Sequence, residues 1–199
     1  MAAARAAWPT EAGIGGIAPD RLVFLDECGV LPNTARLWGR SPRGARAYGA
    51  APCGHWKRLT VLGALGTGGM VAAMATEAAT NGAVVHAWLE RVLLPELRRA
   101  RPDAVLVLDN LRAHKTPAVR ELLDRSGFAY RYLPSYSPDL SPIEPAWAKL
   151  KAELRRVAAR TVEALHQALR GDPADAGLAL DLPRRARRHH VRTRLLGRA

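Results

Sequence analysis

The chain has 199 residues, 48% of them hydrophobic and 24% charged, enough for one globular domain with a sizeable core and too apolar for a disordered polymer. Lys and Arg outnumber Asp and Glu thirty to eighteen, a formal charge of +12, which points to a polyanionic partner and makes nucleic acid the first candidate. Two cysteines, Cys28 and Cys53, lack any CxxC spacing and suggest neither a disulfide framework nor a zinc site, and no apolar run reaches membrane-spanning length. A reducing cytoplasmic setting is expected, next to the nucleoid when DNA is bound. Residues 1–19 carry no sustained apolar core before a cleavage site and read as a loose leader rather than a signal peptide.

Residues 21–26 (RLVFLD) form a short branched apolar run that stops on an acid, the pattern of a buried strand. The Gly-, Pro- and Arg-rich stretch 31–56 reads as a basic loop; Arg36, Arg40, Arg43 and Arg46 form either a solvated face or a set of phosphate contacts. Residues 58–66 and 69–77 are apolar runs on either side of glycines, a hairpin signal. Over 82–100, Val84, Val85, Trp88, Leu89, Val92, Leu93 and Leu97 recur at helical spacing behind Asn81 as N-cap, and Pro95 is expected to kink or end the helix.

A central strand over 103–109 (DAVLVLD) precedes a helix over 116–127, with Pro117 in its first turn and Gly127 as its stop. Another strand follows at 128–133. The Pro/Ser loop 134–142 then leads into a helix from about Ile143 to Arg156, and a last helix over 161–170 is capped by Thr161 and Glu163. The order, antiparallel strands first and parallel crossovers after, predicts an α/β fold of the ribonuclease H (RNase H-like) kind: a mixed sheet with helices on both faces. Residues 20–170 make up this domain, and 171–199 read as a basic tail.

Three acids stand out. Asp26 and Asp109 each close an apolar strand, and Glu144 opens a helix where its dipole favours negative charge. Ligands of open α/β sheets gather beyond the carboxyl ends of strands, so the three can share two divalent ions about 3.5 to 4 Å apart and drive phosphoryl transfer on nucleic acid. Oxygen-only ligands suit Mg2+ or Mn2+. Glu27 is the rival ligand to Asp26, although alternation along a strand sends neighbours to opposite faces. Asn110 and His114 either shape the turn and helix start, or orient Asp109 by a hydrogen bond or reach a phosphate. Lys115, Lys149 and Lys151, with Arg40 and Arg43, are candidate DNA contacts. Trp38, Trp56 and Trp147 are expected to be packing anchors. Crowded carboxylates also predict that Asp109→Asn leaves the metal-free fold as stable as before, or more so.

LVFLDECG, GRSPRG at 39–44, LDNLRAHK, YLPSYSPDLSPIE and AKLKAELRR together resemble the DDE transposases of bacterial insertion sequences in the mariner superfamily, of insertion-sequence 630 type. The thirty-four residues between Asp109 and Glu144 match the spacing of that group. The resemblance implies that Asp26, Asp109 and Glu144 are the catalytic and metal-binding triad. It further implies two Mg2+ or Mn2+ ions, cleavage at terminal inverted repeats, joining of the freed 3′ hydroxyl to a TA target, and a homodimer on DNA. Helix-turn-helix modules are expected ahead of such a domain, and about twenty residues precede LVFLDE. A separately encoded N-terminal part joined by frameshifting and a truncated remnant are both open at this point. So are two other functions: a catalytically idle, non-specific DNA-binding remnant, and another RNase H-like nuclease.

Overall fold

The computed structural model describes residues 2–10, 13–36, 38–50 and 57–170; the basic tail, Cys53 and Trp56 lie outside them. Five strands form one sheet in the order β3-β2-β1-β4-β5: β1 Leu22–Val30, β2 Leu59–Gly66, β3 Gly69–Thr76, β4 Val105–Leu108 and β5 Ala129–Tyr132. β1, β2 and β3 pair antiparallel, whereas β4 runs parallel to β1 and β5 parallel to β4. Among the described residues the α-helices around it are α1 Ala2–Ala7, α2 Gly82–Trp88, α3 Leu94–Ala100, α4 Pro117–Ser126, α5 Ile143–Val157 and α6 Val162–Arg170. This is the mixed, RNase H-like sheet that the order of apolar runs predicts. No described helix is long and apolar enough to cross a membrane.

Both faces of the sheet are buried, which is why the central strands read as continuous apolar runs rather than alternating ones. One core joins Val23, Leu25, Leu62, Leu106 and Leu108 to Trp88, Leu89, Leu93, Leu97, Val119 and Leu123. The other joins Leu22, Phe24, Cys28, Val61, Val105 and Val107 to Ile143, Trp147, Leu150, Leu154 and Leu165. Even-numbered positions of β1 and odd-numbered positions of β4 therefore face α5.

Three local differences from the sequence reading have physical causes. β1 does not end at Asp26: it continues to Val30 because β2 still supplies partners, with Asp26 opposite Gly63 and Val30 opposite Leu59. Its parallel partner stops first, at the Leu25–Leu108 pair, so the sheet opens on one side beside Asp26. Pro95 does not end its helix either. Residues Leu89–Leu93 widen into a π turn between α2 and α3, which accommodates a ring that clashes with the carbonyl four residues back and offers it no N–H.

The leader, loose by its sequence, is held in place. Trp8 is buried in the α5-side core. Arg5 forks onto Asp139 at 3.0 and 2.6 Å and also reaches Ser137 Oγ at 2.8 Å. A bidentate guanidinium–carboxylate contact and a buried indole anchor the segment to the 134–142 loop.

Candidate active site

The parallel register sets the site. Leu25 lies beside Leu108, so the next rung sets Asp26 of β1 beside Asp109, the residue after β4. Asp26 and Asp109 follow the alternation that faces α5, and Glu144 stands in the first turn of that helix, exposed at its rim. All three line one cavity of about 230 Å³ with Asn110, Leu133 and the loop residues Tyr136, Ser137, Pro138 and Ser141. A larger hollow of about 450 Å³ adjoins it through Asn110, Leu133 and Pro134, but none of the three acids lines it.

The two aspartates live in opposite electrostatic settings. Asp26 is pushed up to about 6, first by burial and then by the neighbouring charges of Glu27 and Glu144, against the lowering effect of hydrogen bonds from the Glu27 backbone and Trp147. Its Oδ2 accepts the indole N–H of Trp147 at 2.8 Å. Burial also pushes Asp109 up, but hydrogen bonds from His114 and the Leu111 N–H outweigh it and hold the carboxyl below its ordinary value. Both bonds fall on Oδ1, at 2.6 Å from His114 Nδ1 and 2.9 Å from Leu111 N. Oδ2 of Asp109 takes part in neither.

His114 is buried, with Asp109 on Nδ1 and Glu27 3.4 Å from Nε2. Burial lowers its pKa, yet the two carboxylates win and raise it to about 9. The expected apo behaviour of Asp109→Asn therefore needs correcting: the carboxylate is held by a cation, so neutralising it removes an attraction instead of relieving a repulsion.

Asn110 does not bond Asp109. Its amide donates to the Leu133 carbonyl, and its side-chain oxygen accepts from Lys115, fastening the turn after β4 to β5. Lys115 also lies 4.8 Å over the Tyr132 ring, at the edge of the site. Arg40 and Arg43 are exposed on the 31–50 loop and Lys149 on α5, while half-buried Lys151 lies next to buried Cys28. Trp38 is exposed rather than an anchor. Trp147 is buried, and its bond to Asp26 went unread in the sequence, because a Trp at core spacing on a helix looks the same whether or not its N–H has a task.

An all-oxygen set on one cavity, including a half-buried carboxylate held at about 6, fits a hard divalent cation in its chemistry. Among the described residues no three acidic, His or Cys groups are already drawn together as a metal cage. Such ions keep waters and recruit substrate oxygens, so a preassembled cage is not a requirement of the type.

Residues 21–166 match the family described as DDE superfamily endonuclease. The chain belongs to that family. Among solved structures, this DDE endonuclease chain is similar to the Mos1 transposase paired-end complex with left transposon end, at 21% identity and a TM-score of 0.61, over 82% of this chain and 49% of that one. It is also similar to the Mos1 mariner paired-end complex with Mg, at 25% identity and 0.57, over 75% and 46%, and a corresponding complex is solved with Mn. The catalytic domain of Mos1 mariner transposase matches at 20% identity and 0.53, over 82% and 72%. The chain spans about half the length of the Mos1 chains in the paired-end complexes. Its fold is that of a mariner-type DDE catalytic domain. Sequence comparison with curated proteins gives no match.

Proposed function

We propose that this chain is a transposase catalytic domain that cuts DNA at the ends of an insertion sequence and joins the freed 3′ hydroxyl to target DNA. The observation that carries the reading is the meeting of Asp26, Asp109 and Glu144, from β1, the end of β4 and the start of α5, on one cavity of a DDE-family fold. Two Mg2+ or Mn2+ ions held there would activate the attacking oxygen and stabilise the leaving one. Asp26 and Asp109 contribute ligand oxygens from neighbouring strands, each fixed by a hydrogen bond at its other side or its other oxygen. Glu144, on the rim, has the freedom to close onto a bound phosphate and its ions.

The chain's own positive charge does the holding. Lys115 beside the cavity, Lys149 and Lys151 on α5, and Arg40 and Arg43 on the 31–50 loop neutralise phosphates along a duplex without reading its bases. The partner in this reading is DNA, bound by a homodimer.

The test is strand cleavage on duplexes carrying the insertion sequence's own ends, with Mg2+ or Mn2+. Divalent-ion-dependent nicking is expected, abolished by EDTA and by Glu144→Gln. DNA retention with no cleavage under any divalent ion would instead mark an idle DNA-binding remnant.

A further inference from the structure

We propose that Glu27 is a positioning residue: through His114 it fixes the Asp109 carboxylate so that Oδ2 is presented to the cavity. The inference rests on Asp109 being a metal ligand. Glu27 follows Asp26 directly but faces the other side of the sheet, and it is not among the residues lining the carboxylate cavity. It is therefore badly placed to be a ligand itself. Its Oε2 is buried without a hydrogen bond in good alignment, and the nearest cation is His114 Nε2 at 3.4 Å.

The ring of His114 thus bridges two faces of the sheet edge, from Glu27 on β1 to Asp109 beyond β4. The segment Arg112–Lys115 is a tight turn of helix that starts two residues after Asn110, and it folds the ring back under Asp109. Tyr132 of β5 holds that turn from outside, its hydroxyl donating to the His114 carbonyl at 2.9 Å. With the backbone pinned, one freedom is left to the ring: rotation that moves Nδ1 off Asp109. A carboxylate at Nε2 removes it, because only one ring orientation satisfies both acids. His114 and the Leu111 N–H then share Oδ1, and Oδ2 is the oxygen left to face the cavity.

The experiment compares Glu27→Gln and Glu27→Leu with the parent chain, using Mn2+ alone in calorimetry and 15N-detected NMR of the His114 ring. Gln keeps a polar partner for Nε2 and Leu removes it, while both delete the same carboxylate, so the difference between the two variants reads the partner at Nε2 and not the charge. For Gln, Mn2+ affinity within about threefold of the parent is expected, with a shifted Nε2 resonance and the Nδ1 contact to Asp109 retained. Leu leaves the same net charge but no partner, so a loss of roughly 10–100-fold in Mn2+ affinity is expected, as for other residues that orient a ligand from behind.

A folded Glu27→Leu chain that binds Mn2+ like the parent would overturn the proposal. If that variant does not fold, a His114 ring in Glu27→Gln with resonances identical to the parent's overturns it equally. A parent chain that binds no Mn2+ removes the reading of Asp109 as a ligand, and this inference with it; parent binding with an indifferent Leu variant removes this inference alone.

Discussion

Asp26 and Asp109 are neighbours with opposite responses to losing their charge. Asp26 is half-buried near Glu27 and Glu144 and held at about 6, so Asp26→Asn should raise the stability of the metal-free chain at pH 8, by on the order of 1 kcal/mol. The Asn oxygen can still accept from Trp147. Asp109→Asn should lower it by about 1–2 kcal/mol, because a buried imidazole then faces an amide where it had a carboxylate. Denaturant melts in EDTA read both signs, and identical shifts for the two variants would show that their settings do not differ.

The same groups set the pH dependence. His114 has a folded pKa of about 9 against an ordinary 6.5, so its contribution is complete below pH 6.5 and lost as pH rises through 9. Asp26, at about 6 against 3.8, also favours the protonated folded state, its contribution being lost as pH rises from about 4 through 6. Without metal the melting temperature should therefore fall between pH 6.5 and 9.5, and His114→Gln should flatten that descent. A melting temperature that climbs over this range contradicts the pairing of His114 with two carboxylates.

At the scale of elements, α5 owes its position to a glycine. A Cβ built on Gly63 of β2 would stand 2.5 Å from the Trp147 ring, so Gly63→Ala must push the indole away from the sheet. A cost of about 1–3 kcal/mol is expected from overpacking, together with loss of the bond to Asp26 and displacement of Glu144 on the same helix. Trp147→Phe should keep most of the packing and lose only that bond. Cleavage assays paired with thermal melts separate the two: unchanged cleavage in a folded Gly63→Ala chain would mean that α5 does not set the geometry.

Much of this level is legible in sequence. Asn81 caps α2 through the Val84 N–H at 2.9 Å, Gly127 ends α4 in the left-handed region at φ 82°, and the hairpin and parallel strands follow the apolar runs. What is not legible depends on tertiary partners. The polar run Glu27–Cys28–Gly29 hides the continuation of β1 that pairing with β2 enforces. Nothing in a small-residue leader announces that Arg5 finds Asp139, because that contact exists only once the 134–142 loop is folded. The two aspartates stand out since each closes an apolar run, whereas Trp147 sits at ordinary core spacing on its helix and nothing in the sequence announces its bond to Asp26.

The molecule as a whole carries +12, and the two candidate DNA-contacting arginines, Arg40 and Arg43, lie on its exposed 31–50 loop. DNA affinity should fall steeply with salt and show little sequence preference, and Ala at both arginines should lower the salt slope by about 2. Titrations of end-repeat and random duplexes at two salt concentrations check this, and a strong preference that survives high salt would reveal a base-reading element. The central claim is that three acids from distant parts of the chain form one divalent-metal site. It is tested most directly by anomalous diffraction from crystals of the chain soaked in Mn2+. Anomalous density is expected in the cavity between Asp26 and Asp109, with Oδ2 of Asp109 as a ligand at roughly 2.0–2.6 Å, and absent from crystals of Asp109→Asn. Ordered Mn2+ elsewhere on the molecule, with none in that cavity at saturating concentration, would contradict it.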